Sequence, residues 1–149
     1  KRFRDDPFIN EKDMNVVPLN QLLRESDFIS IHVPLTPETK DLIGPDQFEI
    51  MQSTAFLINT ARGGIVDENA LYDALKSGKI AGAAFDVLKE EPLKERRLLE
   101  LDNFIVTPHI SAFTREAIEK TEKLSAQNVV DVLKGHHCPN IINPEAVNR

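Results

Sequence analysis

Three side chains that lie far apart in the sequence could share one piece of chemistry: Arg62, Glu91 and His109. An arginine presents a planar fork of N–H donors that holds a carboxylate at two points. A carboxylate beside a histidine orients the imidazole and favours its protonated form. That imidazolium can donate a proton to a carbonyl oxygen as it gains charge, and the neutral ring can remove a hydroxyl proton in reverse. The three residues suit oxidation and reduction at a carbon next to a carboxylate. None of the three side chains can donate or accept a hydride, so a bound hydride cofactor is required.

Each of these residues also has an ordinary structural role open to it. Arg62 could be a surface arginine after a strand, Glu91 one of two acids in a solvated turn, and His109 a loop histidine bonded to backbone. Asp86 could cap a turn. Their joint appearance at successive strand ends favours the chemical interpretation. The His-His-Cys run at 136–138 could suggest a metal, but three adjacent residues rarely chelate one ion and no second ligand pair accompanies them, so no metal site is expected.

Short apolar runs alternate with helical patterns along the chain. The predicted strands are Phe28–Ile31, Phe56–Asn59, Ile80–Val87 and Phe104–Val106. The predicted helices lie around Leu19–Leu23, between Asp67 and Gly78, from about Thr114 to Lys134, and as short helices among Pro34, Pro37 and Pro45. This alternation is typical of an α/β fold, a doubly wound parallel sheet with helices on both faces. Ligands of such sheets bind beyond the carboxyl ends of the strands, where the candidate residues stand.

Composition narrows the function classes. The 149 residues are enough for about one domain, and 41% hydrophobic content is enough for a core. A net charge of -6 disfavours a nucleic-acid groove, and no apolar run is long enough to span a bilayer. Cys138 is alone, so it forms no intrachain disulfide. We expect a cytoplasmic protein without nucleic-acid or membrane partners.

Five segments in order carry a resemblance to a known family. They are DFISIHVPLT at 27–36, INTARGGIVD at 58–67, AGAAFDV at 81–87, EP at 91–92 and TPHIS at 107–111. The chain resembles the D-isomer-specific 2-hydroxyacid dehydrogenases, a family that includes D-3-phosphoglycerate dehydrogenase, glyoxylate/hydroxypyruvate reductases and D-lactate dehydrogenase. The resemblance implies a partial Rossmann-like fold and an NAD-dependent oxidoreductase that transfers a hydride between NAD(H) and a small D-2-hydroxy or 2-oxo acid.

The resemblance also implies residue roles. Arg62 would bind the substrate carboxylate and carbonyl, His109 would be the acid/base, and Glu91 would be its partner. Asp86 would contact the nicotinamide, and Asp6 would hold the adenosine ribose hydroxyls, which favours NAD over NADP. The residues expected to contact the cofactor are Asp6, Val33, Thr60, Ala61, Arg62, Asp86, His109, Ile110, Ser111 and Ala112.

One family feature has no counterpart in the sequence. No glycines have the G-x-G-x-x-G spacing of the phosphate-binding loop. We therefore expect the C-terminal portion of a longer enzyme: residues 1–113 as a partial NAD-binding domain lacking that loop, and 114–149 as a C-terminal helix and tail returning toward a substrate domain. This chain alone is expected to bind NAD weakly and to be inactive, and the full-length parent is expected to be a homodimer.

Two alternatives stay open at this point. Transcriptional corepressors of the same family keep the three residues and use NADH mainly to control assembly, so the chain could belong to an NADH-regulated, partner-binding protein. It could also be an inactive truncated remnant.

Overall fold

A computed structural model describes residues 14–91 and 96–143. Asp6, Pro92 and Pro144 lie outside the described residues, so the expected ribose contact of Asp6 is not part of the description. The chain divides into two units, one up to His109 and one from Ile110 onward. The three candidate catalytic residues all belong to the first unit.

The first unit contains a four-stranded parallel sheet. Its strands are β1 (Phe28–Ile31), β2 (Phe56–Asn59), β3 (Gly82–Phe85) and β4 (Phe104–Val106), in the spatial order of the sequence. The predicted parallel α/β sheet is therefore confirmed. β3 is shorter than the apolar run at 80–87. Because all four strands run the same way, their carboxyl ends lie at one edge, which brings the polar residues after β2, β3 and β4 to the same side.

Within the part of this unit that the structure describes, three α-helices accompany these strands: α1 (Leu19–Glu25), α2 (Pro45–Ile50) and α3 (Glu68–Lys76). Pro45 suits the first position of α2 because an N–H there would have no helical partner. The Asp67 carboxylate caps α3, accepting hydrogen bonds from the N–H groups of Asn69 and Ala70 at 2.9 and 3.2 Å. A 3-10 helix, Arg97–Glu100, precedes β4.

The prediction of short helices between Pro34 and Pro45 is wrong. The chain there forms hydrogen-bonded turns, and helix begins only at Pro45. The Thr39 hydroxyl donates to the carbonyl oxygen of Pro34 at 2.6 Å and accepts from the N–H of Thr36 at 2.7 Å. These local side-chain hydrogen bonds satisfy backbone groups that a helix would otherwise use, so the segment forms turns instead of a helix.

The core of the first unit lies between strands and helices. It combines alternate strand residues with the apolar stripes of the helices, including Ile29, Ile31, Leu57, Phe85, Leu23, Phe48, Leu71 and Leu75. Phe28 and Phe56, at the other alternate positions, stack with ring centroids 5.6 Å apart and are exposed. The sheet is thereby fixed as a rigid platform for the loops at its carboxyl edge.

The second unit contains one long helix, α4 (Arg115–Leu133), as the sequence predicts for 114–134. The Thr114 hydroxyl caps it by accepting from the N–H of Ala117 at 3.1 Å. Beyond the helix, Gly135 has a φ of 69°, a left-handed conformation that suits glycine after a helix end. Within residues 14–91 and 96–143, no helix is both long and apolar enough to cross a membrane.

Candidate active site

The turn that carries Arg62 is held by a buried amide at the end of β2. Asn59 is 1% exposed, its Oδ1 accepts from the N–H of Ala61 and its Nδ2 donates to the carbonyl oxygen of Arg62, both at 3.0 Å. Because a buried amide must find partners, these bonds fix the 60–62 backbone. The sequence reasoning did not single out Asn59 as a site residue. A polar residue that closes an apolar strand was the available signal.

We expect Asn59→Ala to lower the free energy of unfolding by about 1–3 kcal/mol, because the N–H of Ala61 and the carbonyl of Arg62 lose their buried partner. Urea unfolding of the two chains would measure this difference. The matched control is Asn20→Ala on the exposed side of α1, which should change stability by less than about 0.5 kcal/mol. Equal effects of the two substitutions would contradict the assigned role of Asn59.

Arg62 projects from this turn and is exposed. Its Nη1 donates to the carbonyl oxygen of Ala61 at 2.6 Å, and a guanidinium with five N–H donors is not exhausted by one such bond. The next residue, Gly63, packs directly on the loop after β3: a Cβ there would lie 2.1 Å from the carbonyl oxygen of Leu88. Only glycine permits this approach, which brings the Arg62 turn against the loop that carries Glu91.

The end of β4 is joined to the end of β3 through Asp86. This carboxyl is 3% exposed and accepts a hydrogen bond from the Thr107 hydroxyl. The carbonyl oxygen of Asp86 accepts from the N–H of His109 at 3.0 Å. His109 has a φ of 55°, in the left-handed region that few non-glycine residues adopt. Such a conformation persists only where the surroundings enforce it, and it is common at functional sites.

His109 and Glu91 form a hydrogen-bonded pair. The imidazole Nδ1 lies 2.8 Å from Oε2 of Glu91, and the N–H of Leu88 donates to Oε1 of the same carboxylate at 3.0 Å. Since a carboxylate only accepts, Nδ1 carries the proton and Nε2 is the nitrogen that can exchange one with a ligand. The bond from His109, followed by that from Leu88, lowers the pKa of Glu91 below its ordinary value. Glu91 is therefore ionised at neutral pH.

The contact between Glu91 and His109 orients the imidazole but contributes little to the stability of the fold. Because the pKa of Glu91 is lower in the folded chain, its contribution to stability is present above the unfolded pKa and is lost as the pH falls through the folded one. Its side chain and that of His109 are 41% and 51% exposed, so solvent screens their attraction. The contact therefore matters because it orients the imidazole, and not because of its contribution to the free energy of unfolding.

The structure brings Arg62, Glu91 and His109 around one cavity of about 240 Å³, together with Gly63 and the 87–89 segment. An adjoining cavity of about 370 Å³ is lined by Asp86, Glu91, Thr107 and His109, with the apolar side chains of Leu88, Leu99 and Val106 and the ring of Pro108. The convergence expected from three remote segments is therefore present in the fold. Thr107 also lines the adjoining cavity, and the sequence assigned no role to it beyond its place in the TPHIS motif.

Residues expected to contact the cofactor line a third, larger cleft of about 640 Å³. Val33, Thr60, Ala61 and Arg62 border it, with His32, Pro34 and Leu35. His32 is held by a hydrogen bond between its Nε2 and the Ser30 hydroxyl, 2.8 Å apart. The cleft thus lies at the carboxyl ends of β1 and β2 and shares Arg62 with the smaller cavity. Ile110, Ser111 and Ala112 belong to the second unit.

The fold and this arrangement of loops are those of a Rossmann-like, dinucleotide-binding α/β protein. Residues 1–111 match the family described as D-isomer specific 2-hydroxyacid dehydrogenase, NAD binding domain. The chain belongs to this family, which confirms the resemblance and the expected cofactor, NAD.

Similar proteins agree with this assignment. The chain is 48% identical over 125 residues to the D-3-phosphoglycerate dehydrogenase of Methanocaldococcus jannaschii, covering 84% of this chain and 24% of that one. It is 43% identical over 145 residues to the glyoxylate reductase of Korarchaeum cryptofilum, covering 97% and 44%. The crystal structure of D-lactate dehydrogenase with NAD+ from Lactobacillus jensenii matches with a TM-score of 0.86 and 31% identity, covering 92% and 45%. The chain spans less than half the length of these relatives.

Proposed function

We propose that this chain is the cofactor-binding and catalytic portion of an NAD-dependent dehydrogenase that interconverts a small D-2-hydroxy acid and its 2-oxo acid. The observation that supports this proposal best is the 2.8 Å contact between His109 and Glu91 beside Arg62, around one cavity. An anion anchor and an oriented acid/base at one opening suit a substrate that carries a carboxylate next to a carbonyl.

The described residues fit the nicotinamide side of NAD. The cleft is bordered by the short side chains of Val33, Thr60 and Ala61, beside the longer ones of His32, Leu35 and Arg62, and the short side chains leave space for a flat group. NADH, when bound, supplies the hydride for the reduction. In this proposal Asp86 contacts the nicotinamide, and the hydrogen bond that its carboxyl accepts from Thr107 supports that role. Asp6, for the ribose hydroxyls, and residues 110–112, beside the nicotinamide, complete the proposed cofactor contacts.

Arg62 anchors the substrate in this mechanism. Its guanidinium binds the carboxylate through two parallel N–H donors and orients the neighbouring carbonyl. The bond that Nη1 makes to the carbonyl of Ala61 limits the side chain's freedom before substrate arrives. Because the turn beneath it is fixed by Asn59, little further ordering is needed on binding.

His109 moves the proton. Its Nδ1 donates to Glu91, so Nε2 points its proton at the carbonyl oxygen during reduction and accepts the hydroxyl proton during oxidation. The ionised Glu91 stabilises the imidazolium that exists on one side of the reaction. The same carboxylate is tied to the N–H of Leu88, which keeps the ring in one orientation.

A chimeric enzyme tests the proposal. The chain replaces the aligned 145 residues of the glyoxylate reductase from Korarchaeum cryptofilum, with which it is 43% identical. We expect this chimera to bind NADH and to oxidise it in the presence of glyoxylate or a related 2-oxo acid, as followed by NADH absorbance. The 149-residue chain alone, without the remaining part of the reductase, is expected to bind NADH much more weakly than the chimera, because its sequence has no G-x-G-x-x-G loop.

The controls separate the function classes. Circular dichroism of the chimera and of the unmodified reductase establishes that both are folded. A folded chimera that binds NADH yet turns over none of the 2-oxo acids would contradict the dehydrogenase proposal and favour the NADH-regulated, partner-binding alternative. The oligomeric state of the active chimera, from sedimentation, tests the homodimer proposed for the longer protein.

A further inference from the structure

We propose that Glu68 is a positioning residue for the His109–Glu91 pair: it binds the peptide between Leu88 and Lys89 and so fixes the loop that presents Glu91 to the imidazole. The chemical purpose of this arrangement rests on the proposed function. The arrangement itself is a property of the chain and can be tested without turnover.

A continuous series of contacts connects Glu68 to the imidazole. Oε1 of Glu68 accepts from the N–H of Lys89 at 2.6 Å. The preceding N–H, that of Leu88, donates to Oε1 of Glu91 at 3.0 Å, and Oε2 of Glu91 binds His109 at 2.8 Å. Two consecutive backbone N–H groups are therefore held by two different carboxylates, one from the start of α3 and one from the site. Movement of this backbone would move Glu91 relative to the imidazole.

Gly63 supports the same peptide. A Cβ on Gly63 would lie 2.1 Å from the carbonyl oxygen of Leu88 and 2.5 Å from the backbone nitrogen of Lys89. The peptide is thus in contact with the Arg62 turn and hydrogen-bonded to Glu68, five residues further along the chain. One stretch, residues 59–68, consequently carries the carboxylate anchor and both supports for the acid/base loop. This explains how the spacing between Arg62 and the pair is maintained.

A helix-dipole role alone does not account for Glu68. Acidic residues are common in the first helical turn because the N-terminal end of a helix is positive, and that effect operates from an exposed side chain. Glu68 is instead partly buried, and burial raises its pKa, while the bond from Lys89 acts in the opposite direction. Placing a carboxyl in this partly buried position is unfavourable unless a specific donor compensates, which the N–H of Lys89 does.

Nitrogen-15 NMR of the His109 imidazole in the 149-residue chain tests the proposal, with His109→Asn used to assign the signals. In the unmodified chain at a pH where the ring is neutral, we expect the proton on Nδ1. Glu68→Ala and Glu68→Asp should both shift the ring toward the Nε2–H form, since aspartate keeps the charge but is one methylene too short. Glu68→Gln keeps an acceptor oxygen at full length and should retain the Nδ1–H form.

The matched control is Asp46→Ala, which removes an exposed first-turn acid from α2 and should leave the His109 signals unchanged. Unchanged His109 signals in both Glu68→Ala and Glu68→Asp, with the fold intact by backbone NMR, would overturn the proposal. So would a loss of the Nδ1–H form in Glu68→Gln equal to that in Glu68→Asp. If Glu68→Ala does not fold, the aspartate and glutamine variants decide the matter.

The chimeric enzyme supplies a second readout. There Glu68→Asp should lower kcat by about 10–100-fold through misplacement of the acid/base, with KM for the 2-oxo acid little changed, and Glu68→Gln should restore most of the rate. An inactive unsubstituted chimera would contradict the proposed function and leave the NMR result standing. An active chimera whose rate does not respond to Glu68→Asp would overturn the positioning role in catalysis.

Discussion

We expect His109→Asn to lower kcat of the chimeric enzyme by about 10²–10⁴-fold, the usual contribution of a positioned acid/base. Asparagine is the appropriate replacement because the backbone at this position has a φ of 55°, and asparagine tolerates the left-handed conformation better than most residues. The substitution therefore removes the titrating ring without adding backbone strain. Steady-state assays with NADH and glyoxylate measure the loss, and NADH affinity should persist.

The control for this prediction is His137→Asn, which changes an exposed histidine outside the first unit and should leave kcat unaltered. Glu91→Gln should give a smaller loss than His109→Asn, because the ring remains but loses its charged partner. A His109→Asn chimera with a kcat within about tenfold of the unsubstituted one would show that another group moves the proton.

The regular elements could be predicted from the sequence because their signals are local. β1, β2 and β4 coincide with short, mostly apolar runs, and α3 starts after a capping Asp67. The 34–45 segment could not be predicted, since a single hydroxyl, that of Thr39, binds both the carbonyl oxygen of Pro34 and the N–H of Thr36. Whether this segment forms turns or a helix depends on which backbone groups the Thr39 hydroxyl can reach, and not on the periodicity of apolar residues.

The three candidate catalytic residues were also accessible from the sequence, since a parallel sheet places successive strand ends at one edge. The residues that hold these three in place could not be predicted from the sequence. Asn59 resembles an ordinary strand-end residue, and Glu68 an ordinary first-turn acid. Each acquires its role from a contact with backbone: Asn59 within its own turn, and Glu68 with Lys89, 21 residues away. For Asn59 the sequence carried only the weak signal of a polar residue that closes an apolar strand. The contact between Glu68 and Lys89 joins remote segments, which leaves no periodic pattern, so only the folded structure shows it.

We expect Arg62→Gln to lower kcat/KM for glyoxylate in the chimera by about 100-fold or more, which corresponds to the roughly 3 kcal/mol lost when one partner of a hydrogen-bonded charge pair is removed. Glutamine keeps a polar side chain but loses the positive charge and the two-point fork. Arg62→Lys should give a kcat/KM between that of the unsubstituted chimera and that of Arg62→Gln, because a lysine retains the positive charge without the planar geometry. Arg24→Gln, at an exposed position on α1, is the control and should have no effect.

A neutral substrate identifies what Arg62 binds. If the guanidinium holds the carboxylate, the unsubstituted chimera should prefer glyoxylate over its methyl ester, and Arg62→Gln should remove most of that preference because the ester never gained from the charge. The substitution should therefore affect the acid far more than the ester. Equal losses for both would mean that Arg62 acts on the carbonyl or on the fold of the 59–63 turn, and not as the carboxylate anchor. NADH affinity, measured in parallel, should fall much less than kcat/KM, because the turn itself is held by Asn59 even though Arg62 borders the cofactor cleft.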